Sequence, residues 1–473
     1  MFYVNKNAMK HWAQNCAENY FKKEFFTMKT TKILALILAV LMAVGCLAAC
    51  GGGTGNQGGN DGDGGEAGVF EPWSAEDIAQ MGEWIKEEAA GGTITLKVWQ
   101  PDAAVAVFTE QTKRFIDIFK DYATIKIEVV AQGENDAAAQ VITDPTKAAD
   151  VFGCPSDQLI KLYDANVLMD VYFPDQVTSM NKAEIAEIAK FGDKYYAYPE
   201  TGDNSYVLAY DKSLLTADDV KSFEALLAAC KAADKKFLMD AGNSFFACTF
   251  LYTGGLVTTG VEYDEEDNPH QVFNDYDIDQ VTASVKAFAD VFTSYAGTFE
   301  ANNTTATVDG FKNGTIAAGV AGSWNVAQVK EVLGDNAGFA VLPTININGT
   351  DTVTKNMFGY KYIGVNRQSK FPATSQCLAY YLTNEECQQE RAEQLEWGPA
   401  NLKVMESDFV KNNEAMKVFI EQSNNSVPQA NLSQTFWNPV DALGGYIIEA
   451  KNDHSTEAIK AQVELCIANI KDY

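Results

Sequence analysis

The chain has 473 residues, with 64 acidic against 36 basic side chains and a formal net charge of −28. Such a field repels nucleic acid and anionic lipid headgroups and disfavours anionic solutes unless a local basic pocket overrides it, so a neutral or cationic ligand is the expectation. Roughly 400 residues belong to the globular part, too many for one core of ordinary size, and two lobes are expected.

In chain order, residues 1–27 precede Met28 and read as an extension of the reading frame past the true start. Their Lys6, Lys10, Lys22 and Lys23 could otherwise serve as a long positive leader. Lys29 and Lys32 then precede an apolar core from Ile33 to Val44, followed by small residues and by Leu47, Ala48, Ala49 and Cys50. That is the three-part plan of a secretory signal, and the apolar stretch is short for a membrane span of about 20 residues.

The cysteine at the cleavage position resembles the lipobox of bacterial lipoproteins. The resemblance implies that residues 1–49 are removed and that Cys50 is diacylated, becomes the N-terminus and holds the protein on the outer face of a membrane. Two acyl chains suffice for stable anchoring. The mature chain loses six lysines and two acidic residues and carries −32. Residues 51–68, mostly Gly, Asn and Asp, cannot bury enough apolar surface to fold and form a tether. Gly53, Gly55 and Gly58 match a dinucleotide fingerprint by chance, since no strand precedes them and no helix follows.

A helix is predicted from Ser74, an N-cap with Asp77 three residues on. Thr93–Trp99 alternates in the rhythm of a strand, Val105, Phe108, Thr112, Phe115 and Phe119 recur at helical spacing, and Ile125–Val130 is a second strand. Strand, helix, strand with short links predicts a parallel sheet covered by helices. The pattern returns at Ala149–Phe152, at Val207–Tyr210, and from Thr315–Val320 into a helix near Trp324. Asp264–Asp267 and the series Asp275, Asp277, Asp279 invite a calcium reading. The sixth and twelfth loop positions are Gln280 and Lys286, however, so a solvated hairpin followed by a helix start is expected, with no metal.

Of nine cysteines, Cys154, Cys230, Cys248, Cys377, Cys387 and Cys466 remain beyond the leader and Cys50, none spaced as a zinc knuckle or redox pair. Cys230, Cys377, Cys387 and Cys466 sit in apolar or helical contexts that suit buried thiols. Disulfides stay open, as sequence cannot pair them. Only His270 and His454 follow the leader, which leaves no histidine cluster for a metal or a nucleophilic triad. No cofactor is expected.

The strand ending at Val320 runs through Gly322 and Ser323 into Trp324 and Asn325. This places an aromatic and an amide beyond the carboxyl end of a strand, where open α/β sheets bind ligands. Core packing is the alternative role for that indole. Phe436 and Trp437 precede Asn438 and Pro439, a proline suited to a helix's first turn. Phe245 and Phe246, after Gly242, Asn243 and Ser244, make a third aromatic station in a predicted loop. Aromatic rings match the C–H face of a pyranose, while hydroxyls need carboxylates and amides at fixed angles. The polar candidates are Asp102, Asp157, Gln158, Asp203 and Asn204, each at or just after a strand end. Each alone is commonly a turn residue or cap. Their joint placement carries the argument.

At larger scale Gly192, Asp193, Lys194, Tyr198, Pro199 and then Tyr210, Asp211, Lys212, Leu214, Leu215 resemble the crossover segment of extracellular solute-binding proteins of ABC sugar importers, of the maltose- and maltodextrin-binding type. Phe311, Asn313, Gly314 through Gly322 and Trp324 to Val341, Leu342, Pro343 is similar to that family's second-lobe signature. Gly359, Tyr360 with Gly364, Val365, Asn366 is similar to its return strand, Tyr381, Leu382, Thr383 to the helix end after it, and Val427, Pro428, Gln429 leading to Phe436 and Trp437 to its C-terminal site helix. The likeness runs from about residue 93 to 470.

It implies a periplasmic-binding-protein-like II fold: two α/β lobes joined by crossover hinge strands, with a ligand cleft between them. The lobes are expected at 73–203 and 359–405 for the first and 204–358 and 406–473 for the second, after a tether at 50–72. It also implies a monomer without enzymatic activity that closes on an oligosaccharide, most simply a malto-oligosaccharide, and is read by membrane permease subunits. Trp324 and Trp437 would stack sugar rings with Phe245 and Phe246 nearby, and Asp102, Asp157, Asp203 and Asn204 would bind hydroxyls. Where the maltose-binding protein carries a first-lobe tryptophan, this chain has Cys154 or Pro155, and Gln158 replaces an arginine. Other readings are an extracellular carbohydrate hydrolase, whose paired carboxylates spacing leaves open, or a receptor for a peptide or polyamine.

Overall fold

A computed structural model describes residues 73–264 and 269–471. The leader, Cys50, the tether and most of the Asp264–Asp267 run lie outside the described residues. The first helix, α1 (Ala75–Ala89), begins where the sequence signal stands. The Ser74 side chain accepts from the Asp77 amide, the Asp77 carboxylate accepts from the Ser74 amide, and both orphan donors are satisfied. It is followed by β1 (Thr93–Gln100), α2 (Val105–Phe119), β2 (Thr124–Ala131), α3 (Glu134–Thr143) and β3 (Val151–Pro155). On α2 the spacing of Phe108, Thr112, Phe115 and Phe119 buries one face against Leu96, Val98 and Ile363.

The chain then runs along β4 (Tyr198–Asn204), and one residue later begins β5 (Tyr206–Asp211) in a different sheet. The second lobe continues with α4 (Phe223–Ala232), β6 (Lys236–Met239), α5 (Ser244–Thr253), α6 (Ile278–Ser294), β7 (Phe299–Ala301), α7 (Thr304–Lys312), β8 (Ile316–Gly322), α8 (Val326–Leu333) and β9 (Ala337–Ala340). The long strand β10 (Asn356–Val365) returns to the first sheet, a helix over Pro372–Leu382 packs against that sheet, α9 (Glu385–Leu395) follows it, and β11 (Ser426–Pro428) and α10 (Trp437–Ile448) lead to a last helix over Thr456–Lys471.

The first sheet has the order β11-β10-β3-β1-β2, with β4 also against β10, and the second β7-β6-β8-β5-β9. Both are mixed, which corrects the parallel sheet expected from strand, helix, strand order. β1 lies parallel to β2 and β3, and β6 parallel to β7 and β8, whereas β10 opposes β3 and β4, and β5 opposes β8 and β9. The reversed strands are those that carry the chain across between lobes, and a strand that arrives from the neighbouring sheet is free of the right-handed helical crossover that enforces parallel pairing.

Each lobe has its own core. Phe223, Phe237, Phe250, Phe288 and Val320 are buried together in the second, and Trp73, Phe108, Phe115, Ile363 and Tyr381 in the first. A network of buried polar groups ties the crossings together. Asn356 Nδ2 donates to Ser205 Oγ at 2.9 Å and to the Tyr206 carbonyl at 2.8 Å, while Ser205 Oγ donates to the Met357 carbonyl at 2.8 Å. Ser426 donates to Asn356 as well, so all three crossing segments share one set of hydrogen bonds. All six remaining thiols are buried and free, so none forms the disulfides that the sequence left open. Among the described residues no helix is long and apolar enough to cross a membrane.

Candidate functional site

Between the lobes lies a cleft of about 1310 Å³, larger than the roughly 300–1,000 Å³ of ordinary small-molecule sites and suited to an extended ligand. Its first-lobe wall comes from strand ends. Asp102 is exposed just after β1, and Asp157 and Gln158 follow β3 in a short 3₁₀ turn. Asn204 ends β4. The second-lobe wall carries Trp324 and Asn325 in the turn between β8 and α8, Phe245 and Phe246 at the start of α5, and Trp437 as the first residue of α10. Nine of the ten residues singled out from sequence therefore line one cleft.

Two expectations need correction. Asp203 does not reach the cleft; its carboxylate accepts the Gly398 amide at 2.6 Å and borders a separate, smaller cavity of about 370 Å³ behind the crossover strands. Successive strand residues point to opposite faces, so Asp203 and Asn204 cannot both face the ligand. Phe245 and Phe246 do not sit in a loop. Asn243 accepts the Phe245 amide as an N-cap, and Phe246 is a core residue packed on Tyr206 at 4.6 Å between ring centroids.

Aromatic stations are built by local backbone. The Trp324 ring lies against Gly322, where a Cβ would stand 2.3 Å from it, and its Nε1 donates to Thr304 Oγ1 at 3.3 Å. Phe245 stands 6.0 Å from that ring, and Trp437 packs edge-on against Phe436 at 5.5 Å. Asp441 on α10 accepts the Ser244 amide at 2.6 Å, which fixes the start of α5 relative to Trp437.

The cleft floor is polar, and much of it escaped the sequence reading. Gln429, in the 3₁₀ turn after β11, donates to Asp157 Oδ1 at 2.8 Å and accepts from Asn204 Nδ2 at 2.8 Å. Gln158 donates to the other Asp157 oxygen at 2.5 Å, and Lys161 donates to Gln158. Burial pushes the Asp157 carboxyl up to about 6, with Lys161 and Gln158 opposing the rise. Lys361 on β10 and Trp397 also line the cleft. Trp397 follows Glu396, which ends α9 in the left-handed conformation (φ 58°), and so provides a first-lobe aromatic where the region of Cys154 and Pro155 has none. A lysine inside the otherwise apolar run Tyr360–Val365 was the available sequence signal for Lys361. Gln429 lay within a motif already noted, and nothing local marked Trp397.

Beneath this floor Glu200 accepts from Gln100 at 3.1 Å. Burial raises its carboxyl to about 7 against the pull of Arg391, and burial raises Asp203 to about 7 although the Gly398 amide opposes it.

Two hinged α/β lobes over one open cleft define a receptor that closes on a solute, of the periplasmic-binding kind. Residues 103–418 match the family of bacterial extracellular solute-binding proteins, and the chain belongs to that family. A protein solved with acarbose is 26% identical, covering 80% of this chain and 99% of its own, with a TM-score of 0.71. The maltodextrin-binding protein of L. casei BL23 without ligand (22% identity, 80% and 100% coverage, TM-score 0.66) shares the fold. So does the maltose-maltodextrin binding protein of Alicyclobacillus acidocaldarius (20%, 80% and 100%, 0.66). No curated sequence matches the chain.

Proposed function

We propose that this protein captures an oligosaccharide of the malto-oligosaccharide type in the cleft, closes over it, and presents the closed form to the permease subunits of an ABC importer. The observation that carries the reading is the cleft's composition. Trp324, Trp437 and Phe245 from one lobe and Trp397 from the other supply flat apolar faces around a floor of Asp157, Asn204 and Gln429. Flat faces answer the C–H faces of a pyranose, and fixed carboxylates and amides answer its hydroxyls. The likeness to a protein solved with acarbose supports a sugar in this position. Asp102, Gln158 and Asn325 would complete the hydroxyl contacts.

The protein works as a monomer and without turnover, anchored to the outer face of the membrane through a diacylated Cys50. The lobes would close about the crossings near Ser205, Met357 and Val427. Isothermal titration of the purified protein with maltose, maltotriose and maltotetraose is the test. One-site saturation, a ligand-dependent rise in melting temperature and a flat reducing-end assay are expected. If no glucan binds while a peptide or polyamine does, the reading fails, and release of reducing ends would make the protein a hydrolase.

A further inference from the structure

Lys361 is an unusual side chain for its place. It projects from β10, which pairs on both sides within the first sheet, and the residue is only 4% exposed. Its ammonium lies 3.0 Å from Glu134 Oε2, 5.0 Å from the centre of the Trp397 ring and 5.6 Å from the Trp324 ring. Glu134 opens α3 and Trp397 follows α9, both in the first lobe, whereas Trp324 belongs to the second. Burial works against the charge on Lys361, yet Glu134, Glu200 and Asp203 hold its pKa above the ordinary lysine value, so it stays an ammonium. A cation over an indole face is held by the ring quadrupole, more strongly where water is excluded.

We propose that Lys361 is a positioning residue for ligand capture, gripping one tryptophan from each lobe and so setting both the orientation of the indoles and the ease with which the lobes meet. Glu134 fixes the ammonium, the ammonium fixes Trp397 and Trp324, and the indoles receive the ligand. Since Trp324 belongs to the other lobe, the contact also favours the spacing of the lobes seen here and acts on apparent affinity through the indoles. The inference rests on the sugar reading for its ligand, while the arrangement of the indoles is measurable without any ligand.

The test compares full-length Lys361→Met, Lys361→Arg and the double variant Lys361→Met with Glu134→Gln, which removes the ion pair without stranding the Glu134 carboxylate. Near-ultraviolet circular dichroism of the unliganded proteins reads the indoles directly. Lys361→Met and the double variant are expected to lose indole band intensity, and Lys361→Arg, which keeps a cation for both rings, to retain it. Titration with maltotriose should show affinity weakened roughly tenfold or more in both methionine variants, and restored to within about threefold of the parent by arginine.

Unchanged indole bands in the double variant would overturn the proposal whatever the sugar does. So would a loss that arginine fails to restore, because that pattern belongs to a merely buried charge. If the parent itself binds no glucan, the sugar reading falls, and the dichroism still decides the role of Lys361.

Discussion

Gly322 has no side chain, and the Trp324 indole uses the space. A Cβ there would stand 2.3 Å from the ring, closer than any van der Waals contact allows, while the backbone φ of −75° suits any residue. Gly322→Ala therefore acts on the indole and not on the chain. We expect it to weaken maltotriose binding roughly tenfold or more with a far smaller effect on the melting temperature of the unliganded protein; equal affinity would show that Trp324 is packing alone. Trp437 offers the complementary test. It is half-buried, with its edge contact to Phe436 as support. Trp437→Ala should cost on the order of 1–3 kcal/mol of binding and leave the unliganded melt nearly unchanged. Unfolding would place that indole in the core instead.

Elements were legible where their signal is local. The Ser74 capping box names the start of α1 outright, and Ser74→Ala should cost about 1 kcal/mol of stability, read as a lower urea midpoint at constant slope. α2 declared itself by its one apolar face. By contrast α5 is buried from Phe246 to Thr253, so it shows no apolar stripe, and Asn243 looked like a loop residue when it was a cap. The pairing sense of β5 and β10 was hidden for another reason: it depends on which sheet the chain has just left, and no local spacing records that. The same limit explains the site. Asp102, Asp157 and Asn204 stand at strand ends, a position that periodicity reveals, and they line the cleft. Asp203 failed because adjacent strand residues face opposite ways, and Trp397 and Lys361 entered through contacts between segments far apart in sequence.

At the scale of the whole molecule, a net charge of −28 and three raised carboxyls act on stability in one direction. Burial lifts Asp157 to about 6 and both Glu200 and Asp203 to about 7, above the ordinary carboxylate range the unfolded chain would show. Between those limits the folded protein holds more protons than the unfolded one, so stability falls as pH rises from about 4 to about 7 and levels off above. Self-repulsion of the acidic surface adds a fall of the same sign, but salt screens surface charges and leaves buried ones largely untouched. Melting temperatures of the unliganded protein should therefore increase as the pH is lowered from about 8 to about 5, and part of that slope should survive in about 0.5 M salt. Asp203→Asn keeps an oxygen to accept the Gly398 amide and removes the titration, so it should flatten the surviving slope. A slope that salt abolishes entirely, or that Asp203→Asn leaves intact, would show that the buried carboxyl is not a source of the dependence.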